Sequence, residues 1–359
     1  MKKVPEPKIL IAAPALHDFM IRLMVAAGMS EPNARAAADV HIDAELRGVG
    51  IQGFDYLPYT LASLERGLID GKAEPRLTRR SQATALIDGG GGPGQAAAIK
   101  GADLAIEIAG TAGTATVAIR NSTDIFMLAF YAERIAKAGK VGFVVTSGPP
   151  LVHPPGGMEK LLSTNPLAFA FPRAGAEPFV FDMATSALAS SRVRQAAYDG
   201  TPLPEGAGIG PDGLPTTEAA LVRKGAISPL AGHKGFGLAL CVGLLCGPLT
   251  DSGIGPELAG WQGAAGETKT QGHLLMAIDP ASFGDAETFA ERTGWYLDLI
   301  KTSHKAPGSD AIRIPGERAT AERLERQQAG VEILAATWRN VKPFAEKLGV
   351  AAPRAFQES

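Results

Sequence analysis

The sequence predicts a mixed α/β (α+β) fold, in which helices at the two chain ends surround a middle region of short strands. Apolar residues recur at helical spacing near both ends of the 359-residue chain, and short β-like runs occupy the region between them. The chain also contains 43 glycines and 26 prolines, without a collagen-like period or one low-complexity tract. This excess indicates a folded protein with many turns and not a disordered one.

Two helices are predicted in the first fifty residues. The first begins near Pro14 and ends at Gly28, and its apolar face carries Leu16, Phe19, Met20, Leu23 and Met24. Ser30 is a suitable N-cap for a second helix, which has Pro32 in its first turn and runs to about Arg47. Near the other end, a helical stripe is formed by Leu334, Trp338, Val341 and Leu348. We therefore expect the two ends to pack together as one unit.

The middle of the chain predicts strands separated by turns. The β-like runs are Ala83–Ile87, Thr114–Ile119, Val141–Thr146, Leu167–Phe171 and Leu274–Ile278. Helices are predicted between some of them, at Ala96–Ala109 and Met127–Ala138. The stretch from Tyr198 to Leu230 is rich in proline and glycine and predicts a long ordered excursion with little regular structure.

Composition and charge argue against several functional classes. The formal net charge is -2 and no basic stripe is present, so a nucleic-acid partner is not expected. The longest apolar stretch, Leu238–Leu249, is too short to span a bilayer. It contains Cys241 and Cys246, which a helix would point in different directions, so a disulfide between them is not expected. We expect a reduced, cytoplasmic protein without a membrane partner.

A glycine-rich run at residues 88–95 imitates a dinucleotide-binding loop. Gly89, Gly91 and Gly94 satisfy the G-x-G-x-x-G pattern between a predicted strand and a predicted helix. About twenty residues later, where a Rossmann fold places an acid on the ribose, residues 114–120 contain neither Asp nor Glu. We therefore predict a turn that admits a ligand or another backbone, and not a Rossmann phosphate loop.

Several motifs resemble those of the malate/L-lactate dehydrogenase type 2 family. Residues 164–169 (Thr-Asn-Pro-Leu-Ala-Phe) and 181–186 (Phe-Asp-Met-Ala-Thr-Ser) are similar to its paired signature. Residues 230–238 resemble its lysine-glycine motif, and residues 315–318 resemble its C-terminal motif. Because segments 44–48, 88–95 and 121–122 also fall in register, the resemblance covers nearly the whole chain.

The resemblance implies an NAD(P)-dependent oxidoreductase on a non-Rossmann fold, with a largely antiparallel central sheet and a helical domain built from both termini. Members of the family reduce 2-oxo acids, cyclic imino acids or related compounds, usually as homodimers. Three domains are implied: a helical domain of residues 1–75 and 318–359, a cofactor domain of residues 76–125 and 165–317, and a smaller third domain of residues 126–164. A homodimer that binds NAD or NADP and a small-molecule substrate is therefore expected.

The nucleotide contacts of the family map onto three of these motifs. The resemblance assigns cofactor binding to Asp182, Met183, Ala184, Lys234, Gly235, Gly316, Glu317 and Arg318. A lysine supplies a compact positive charge for a phosphate or for ribose hydroxyls, and small residues admit backbone contacts. The alternatives are structural, with Asp182 as the cap of the next segment and Lys234 as a solvated surface residue.

The substrate side departs from the family pattern. The first motif of the family is R-G-x-x-S-H-G-x-x-R, but this chain has Gln52 in place of the histidine. It also has Tyr56 in place of the final arginine, which typically meets the substrate carboxylate. The second motif is N-S-x-H-F-G, and Asp124 stands at its histidine. Both expected histidines are therefore absent.

Gln52 and Asp124 are the catalytic candidates at these positions, and Tyr56 is the substrate-binding candidate. Gln52 can donate or accept a hydrogen bond but cannot titrate, so it is expected to be a polar contact. Asp124 can supply a proton near neutrality if burial raises its pKa far above about 3.9. An ionised Asp124 would instead pair with a cationic substrate. Tyr56 argues against plain malate or lactate and favours an aromatic or basic molecule.

His153 is the third catalytic candidate. It lies in a proline- and glycine-rich loop that, by the resemblance, runs close to the cofactor. There it is either a relocated proton donor or a solvent-facing histidine. We assign His233 and His273 to structure or cofactor support. We expect His17, His41 and His304 to be surface residues or core residues with satisfied hydrogen bonds. No cluster has the spacing of metal ligands, and no metal site is expected.

The leading interpretation is an NAD(P)-dependent dehydrogenase or reductase with an atypical substrate pocket. It would transfer hydride to or from a small 2-oxo or 2-hydroxy acid, a cyclic imine or a related compound. The alternative is a nucleotide-binding relative that has lost hydride transfer and serves as a sensor or in another activity. A purely structural protein is a third interpretation, against which the cofactor motifs argue.

Overall fold

The structure, a computed structural model, describes residues 6–258 and 270–357. The strands are β1 (Lys8–Ile11), β2 (Arg76–Arg80), β3 (Thr84–Asp88), β4 (Thr114–Ser122), β5 (Val141–Thr146), β6 (Leu167–Phe171), β7 (Phe179–Met183), β8 (Gly208–Ile209), β9 (Ala226–Ile227), β10 (Gln271–Ile278) and β11 (Val331–Leu334). The helices are α1 (Ala13–Ala26), α2 (Glu31–Leu46), α3 (Leu57–Glu65), α4 (Gly94–Ala112), α5 (Leu128–Lys137), α6 (Ser190–Asp199), α7 (Ala219–Lys224), α8 (His233–Cys246), α9 (Ala286–Lys301), α10 (Glu317–Ala329), α11 (Ala335–Lys347) and α12 (Arg354–Gln357).

A seven-stranded sheet forms the centre of the described chain, in the order β2-β3-β4-β10-β5-β6-β7. Neighbouring strands are antiparallel except β3 and β4, which run parallel. Both faces of β5 are covered: Val144 packs into the core under α4 and α5, whereas Val145 packs towards α8. Because side chains alternate between the faces of a strand, burial on both faces fixes the register. The predicted largely antiparallel, non-Rossmann sheet is confirmed.

Helices from both chain ends pack around a second core. Strand β1 pairs antiparallel with β11, and Ile9 lies opposite Ile333. Phe19 of α1 is fully buried, with its ring centre 6.1 Å from that of Trp338 in α11 and 6.0 Å from that of Phe356 in α12. The prediction of a helical unit built from both termini is confirmed. The strand pair was not predicted, because four-residue strands carry almost no periodic signal.

A buried ionic network joins the helical core to the sheet. Arg47, which follows α2, contacts Glu133 on α5 and also Asp43, with 2.6 Å between Nε and Oδ2. Arg323 on α10 contacts the same Glu133 carboxylate at 2.8 Å and Glu177 at 2.6 Å. Burial alone would raise the pKa of Glu133, but the two guanidinium groups hold it below its usual value. The network ties α2, α5 and α10 together, because loss of one member would leave a buried charge uncompensated.

Most predicted elements are present, some with shifted ends. β5 and β6 have the predicted bounds, the other predicted strands and α4 are longer or shifted by a few residues, and α5 is one residue shorter at each end. β2, β7 and α9 were not predicted. All five residues of β2 are exposed, so no apolar alternation marks that strand. The stretch of residues 198–230 is mostly irregular, as predicted, but it contains α7, β8 and β9.

The apolar segment at α8 extends beyond the stretch Leu238–Leu249 that was judged too short to span a bilayer. The segment His233–Thr250 is long and apolar enough to cross a membrane by length and composition, and 39% of it is buried. The core helix of a soluble protein meets the same criterion. Cys241 is exposed and Cys246 is buried, and both are free thiols, as expected.

Candidate active site

The segment that carries Asp124 leaves β4 and lies against the glycine-rich run. The N–H of Gly91 donates to the carbonyl of Asn121 at 2.8 Å, and the N–H of Gly94 donates to the Thr123 hydroxyl at 3.0 Å. A Cβ at Gly94 would lie 2.1 Å from the Thr123 carbonyl oxygen, so no larger residue fits. The close approach predicted for the glycine run is therefore an approach to the backbone that positions Asp124.

Asp124 is partly buried and is held by backbone N–H groups. Its Oδ1 accepts a hydrogen bond from the N–H of Phe126 at 2.8 Å. Burial raises the pKa of the Asp124 carboxyl, and the N–H groups of Phe126 and Ile125 offset only part of that rise. Phe126 has a φ of 60°, a left-handed conformation that costs an L-residue about 1–2 kcal/mol. Backbone strain of this kind concentrates at functional sites.

Two 3₁₀ turns after α2, at Gly50–Gln52 and Phe54–Tyr56, place two further candidates beside this segment. The ring of Tyr56 meets that of Phe126 edge-on, with 4.8 Å between the centroids. Burial and then the nearby Asp124 carboxylate raise the pKa of the Tyr56 phenol. The buried Oε1 of Gln52 has no hydrogen-bond partner among the described residues. Asp124 and Tyr56 therefore meet at Phe126, and Gln52 lies in the turn before that of Tyr56.

Glu45 holds these two turns in place. Its Oε1 accepts a hydrogen bond from the N–H of Phe54 at 2.6 Å. A Cβ at Gly53 would lie 2.5 Å from Oε1, and a Cβ at Gly50 would lie 2.8 Å from Oε2. Burial raises the pKa of the Glu45 carboxyl to about 7, against the opposing effect of the Phe54 N–H. The substrate-side turns are thus wrapped around a buried carboxyl group.

His41 supports the same turns from α2. Its Nδ1 lies 2.7 Å from the carbonyl oxygen of Gln52, and its ring centre lies 4.6 Å from that of Phe126. Burial lowers the pKa of the imidazole to about 4, so the neutral ring donates through Nδ1–H. His41 is a core residue, as expected, but the sequence analysis missed its contact with Gln52. No motif marks that contact, which depends on the way the chain folds back.

His273 supports the Asp124 segment from β10. Its Nε2 lies 3.0 Å from the Thr123 carbonyl oxygen, and its Nδ1 lies 2.7 Å from the Thr146 hydroxyl. Burial lowers the pKa of this imidazole to about 3, so it remains neutral. The neutral ring connects β5, β10 and the Asp124 segment as a structural bridge.

Arg194 on α6 is a second residue that the sequence analysis missed. Its Nη2 donates to Asp55 Oδ2 at 3.1 Å, and its guanidinium carbon lies 5.8 Å from the centre of the Tyr59 ring. Burial raises the pKa of the Tyr56 phenol, and the charge of Arg194 opposes that rise. A cation therefore lies beside Tyr56, the residue that replaces the arginine of the family motif.

His153 lies apart from these residues, in the loop after β5. Its Nε2 lies 3.2 Å from the Ser228 hydroxyl, and its Nδ1 lies 2.9 Å from the Pro154 carbonyl oxygen. Ser228 precedes α8, so these contacts place His153 near the lysine-glycine motif. None of its described contacts is with the Asp124 side of the site.

The three candidate cofactor motifs meet around the end of β7. The N–H of Leu230 donates to the Thr185 carbonyl at 2.9 Å. A Cβ at Gly235 would lie 2.3 Å from the Leu230 carbonyl oxygen and 2.7 Å from that of Thr185. Gly316 has a φ of 87°, and a Cβ there would lie 2.5 Å from the carbonyl oxygen of Val180 in β7. Close backbone packing therefore gathers motifs that are far apart in sequence.

The side chains of the first two cofactor motifs differ in their surroundings. Asp182 Oδ2 accepts from the N–H of Ala129 at 2.8 Å, at the start of α5. Burial raises the pKa of this carboxyl to about 6, against the opposing effect of the Ala129 N–H, so the carboxyl is mostly ionised at neutral pH. Met183 and Ala184 are partly buried. Lys234 is exposed in the first turn of α8 and has no polar partner among the described residues.

Glu317 and Arg318 of the third motif begin α10 and are already paired. The Glu317 carboxylate contacts Lys301 at 2.5 Å and accepts from the N–H of Ile314 at 3.1 Å. Arg318 donates to Glu322 at 2.7 Å. These pairs shape the turn before α10, and among the described residues of the three motifs Lys234 is the cation without a carboxylate partner.

The arrangement fits a nicotinamide dinucleotide. An exposed lysine at the N-terminus of α8 offers both a positive charge and backbone N–H groups to phosphates. Asp182 and Asp124 bind backbone N–H groups of one segment, residues 126–129, so the cofactor motifs adjoin the substrate-side residues. Among the described residues no cluster of three metal-ligating side chains occurs.

Two cavities lie elsewhere on the described surface. One is an open cleft of about 530 Å³ that includes Met158, Lys160 and Lys224 in its lining. The other measures about 80 Å³ and lies between Ser147, Asn165 and the side of α8. Neither is lined by Asp124, Gln52 or Tyr56.

Comparison with known proteins identifies the family, since residues 11–342 match malate/L-lactate dehydrogenase. The chain is 34% identical to L-sulfolactate dehydrogenase of Methanocaldococcus jannaschii, over 90% of this chain and 92% of that protein. It is 35% identical to a Δ1-pyrroline-2-carboxylate/Δ1-piperideine-2-carboxylate reductase of Pseudomonas syringae pv. tomato, over 95% and 97%. The structure of malate dehydrogenase from Pyrococcus horikoshii matches with a TM-score of 0.88 at 30% identity, covering 98% of this chain and 99% of that one. The chain therefore belongs to the malate/L-lactate dehydrogenase family and is an NAD(P)-dependent oxidoreductase, as predicted.

Proposed function

We propose that this oxidoreductase reduces the C=N bond of a small cyclic imino acid. The observation that carries the proposal is the replacement of both motif histidines, by Gln52 and by a partly buried Asp124. A ketone needs a proton at its oxygen when hydride arrives, whereas a protonated imine already carries its proton on nitrogen. A carboxylate that pairs with this cation is then sufficient, and no histidine is required.

The side chains around Phe126 have complementary parts in this chemistry. Asp124 orients the iminium nitrogen, and the bound cation opposes the rise in the pKa of its carboxyl that burial causes. The buried oxygen of Gln52, which has no partner among the described residues, accepts a hydrogen bond from the substrate. The rings of Tyr56 and Phe126 exclude water on one side. Hydride adds to the ring carbon, the C=N π electrons move to nitrogen, and the product is a secondary amine.

The same proposal places NAD or NADP at the end of β7. The residues that would hold it are Asp182, Met183, Ala184, Lys234, Gly235, Gly316, Glu317 and Arg318. The cofactor supplies the hydride when bound. Lys234 attracts a phosphate or the ribose hydroxyls, while Gly235 and Gly316 keep the backbone accessible. His153 contacts Ser228 before α8, so we place it on this nucleotide side.

The substrate class is supported by the relative from Pseudomonas syringae, which is named for its reduction of two cyclic imino acids. The other relatives named above are dehydrogenases of hydroxy acids. The replacement of both motif histidines is easier to reconcile with reduction of an imine than with reduction of a ketone. A protonated imine already carries the proton that those histidines would give to a carbonyl oxygen.

A second candidate is the reduction of a 2-oxo acid with protonated Asp124 as the proton donor. The raised pKa of the Asp124 carboxyl favours this alternative. The two candidates differ in their dependence on pH on the acidic side, because the protonated imine of the first candidate is itself lost as the pH rises. A counter-ion must be ionised, so activity falls as the pH drops through the Asp124 pKa. A proton donor must be protonated, so activity falls as the pH rises through that pKa.

We further propose that the protein is a cytoplasmic homodimer of three domains, with the boundaries given above and without nucleic-acid or membrane partners. The apolar segment at α8 exposes Leu238, Leu240, Leu244 and Leu249. Exposed leucines of this kind are suited to burial against a second copy. A monomer in size-exclusion chromatography with light scattering would contradict the dimer.

Turnover assays with the purified full-length chain test the proposed reaction. Oxidation of NADH and of NADPH is followed with a panel of cyclic imino acids and 2-oxo acids. We expect the imino acids to have the higher kcat/KM. Asp124→Asn should lower kcat/KM by at least about 30-fold, since it removes one partner of a desolvated charge pair. His304→Ala changes an exposed histidine and is the control.

The pH profile then separates the candidates. Preference for 2-oxo acids, together with activity that falls as the pH rises, would overturn the imine proposal in favour of the second candidate. Binding of NADH or NADPH without turnover of any panel member would refute both candidates.

A further inference from the structure

Arg194 brings a positive charge to the turns that carry Gln52 and Tyr56. It extends from α6, and its Nη2 lies 3.1 Å from Asp55 Oδ2. Its guanidinium also lies over the ring of Tyr59, at 5.8 Å from the centroid. Charge and cation–π contacts therefore join α6 to the substrate side of the site.

Tyr56 is under the influence of two opposite charges. Beyond the effect of burial, the Asp124 carboxylate raises the pKa of the Tyr56 phenol and the Arg194 guanidinium lowers it. The contacts agree with this, because the Tyr59 ring below Arg194 lies 5.2 Å from the Tyr56 ring. On the other side, the Phe126 ring lies 4.8 Å from the Tyr56 ring, and the Phe126 N–H donates to Asp124. The site thus has an acidic group and a basic group, each next to the same tyrosine.

The Arg194 guanidinium has donors to spare. A guanidinium offers five N–H groups in a planar fork, and the contact with Asp55 uses Nη2. The side chain of Arg194 is 31% exposed and that of Asp55 is 35% exposed, so a small ligand can reach the pair. Arg47 differs, because its 2% exposed side chain is enclosed by buried carboxylates.

We propose that Arg194 binds the carboxylate of the substrate, next to Tyr56 and across from Asp124. The inference rests on the proposed function, which supplies a substrate with a carboxylate beside the reacting carbon. A planar guanidinium forms paired hydrogen bonds with a carboxylate. Arg194 is then a specificity-determining residue, which selects acids over the corresponding amides. The Arg194 guanidinium, which extends from α6, would then replace the guanidinium of the family arginine at whose position this chain has Tyr56.

Asp55 is compatible with this role. Its Oδ1 accepts from the Thr337 hydroxyl at 3.0 Å, so it is anchored independently of Arg194. Partly exposed ion pairs contribute little stability, and the guanidinium can bind a second anion without a large loss.

Two probes that differ in charge test the assignment. Pyridine-2-carboxylate and pyridine-2-carboxamide are planar, and as aromatic rings they resist hydride transfer. Their binding to the full-length protein with NADH is measured by isothermal titration calorimetry. We expect the wild type to prefer the carboxylate by about 10- to 100-fold, the range for a hydrogen bond to a charged group. Arg194→Gln should abolish this preference.

Arg192→Gln is the matched control, because it removes the same charge from an exposed position on the same helix. It should keep the preference for the carboxylate. A second variant, Asp55→Asn, separates substrate binding from a structural ion pair. A substrate anchor predicts that Asp55→Asn retains or strengthens carboxylate binding. Weakening equal to that of Arg194→Gln would show a structural role and overturn the assignment.

Equal binding of the two probes by the wild type, or an unchanged preference in Arg194→Gln, would also overturn it. These measurements do not depend on turnover. A chain that binds the carboxylate through Arg194 but reduces no imino acid would refute the proposed function and retain the carboxylate site.

Discussion

Glu45→Gln is expected to stabilise the protein at alkaline pH and to lose that advantage in acid. The Glu45 residue is 3% exposed, and burial raises the pKa of its carboxyl from 4.5 to about 7, although the Phe54 N–H and Arg326 lower it. The folded protein therefore holds this proton more tightly than the unfolded chain. Unfolding releases the proton between these two pKa values, so stability falls as the pH rises through that interval.

The size of the effect follows from the shift in pKa. It corresponds to about 3 kcal/mol of unfolding free energy, which is fully present below the unfolded pKa and lost above the folded one. Glutamine keeps an oxygen that can accept the Phe54 N–H and carries no charge. The variant should therefore gain up to about 3 kcal/mol over the wild type near pH 8, and little near pH 4.5.

Denaturant unfolding of both proteins across this pH range measures the difference. Glu325→Gln, at an exposed position of α10, is the control and should show no pH-dependent difference from the wild type. If the advantage of Glu45→Gln does not change with pH, or is greatest in acid, the account of a buried, proton-binding carboxyl is wrong.

Two further predictions concern the backbone. Gly316→Ala would place a Cβ 2.5 Å from the Val180 carbonyl oxygen, whereas Gly308→Ala, at a similar φ of 81°, meets nothing within 4 Å. We expect the Gly316 variant to lose about 1–3 kcal/mol more in unfolding and to bind NADH more weakly, and equal losses would contradict the close packing. Phe126→Gly should be more stable than Phe126→Ala by about 1 kcal/mol, because φ is 60°. An alanine variant that unfolds at the same or a higher temperature would contradict the inferred strain.

The parts of the fold that the sequence predicted are those with a strong periodic signal. The apolar face of α1 is buried as its spacing indicated, and β5, which is buried on both faces, has the predicted bounds. β2 was missed because an exposed edge strand needs no apolar alternation. β1 and β11 are paired through residues at opposite ends of the chain, and neither strand is long enough to show a pattern.

The candidate site was predictable only in part, because contacts between segments that meet only in the folded chain leave no local sequence pattern. Motif departures pointed to Gln52, Tyr56 and Asp124, and the structure brings Tyr56 and Asp124 together at Phe126. Arg194 reaches Asp55 from 139 residues away, and no local pattern encodes such a contact. His41 is close in sequence to Gln52, but its contact with the Gln52 carbonyl depends on the turns that fold back over α2.

During synthesis, a ribosome releases Arg47 and Glu133 well before Arg323. Until α10 emerges, the carboxylates of Asp43 and Glu133 have Arg47 and the Lys137 ammonium, 3.6 Å from Glu133, as their cations, but Glu133 lacks the closer contact with Arg323 at 2.8 Å. We therefore expect α5, which begins shortly after Phe126, to dock less tightly until α10 joins it. Chains that end before α10 would lack the contacts of Arg323 with Glu133 and Glu177, which hold α5 against α10.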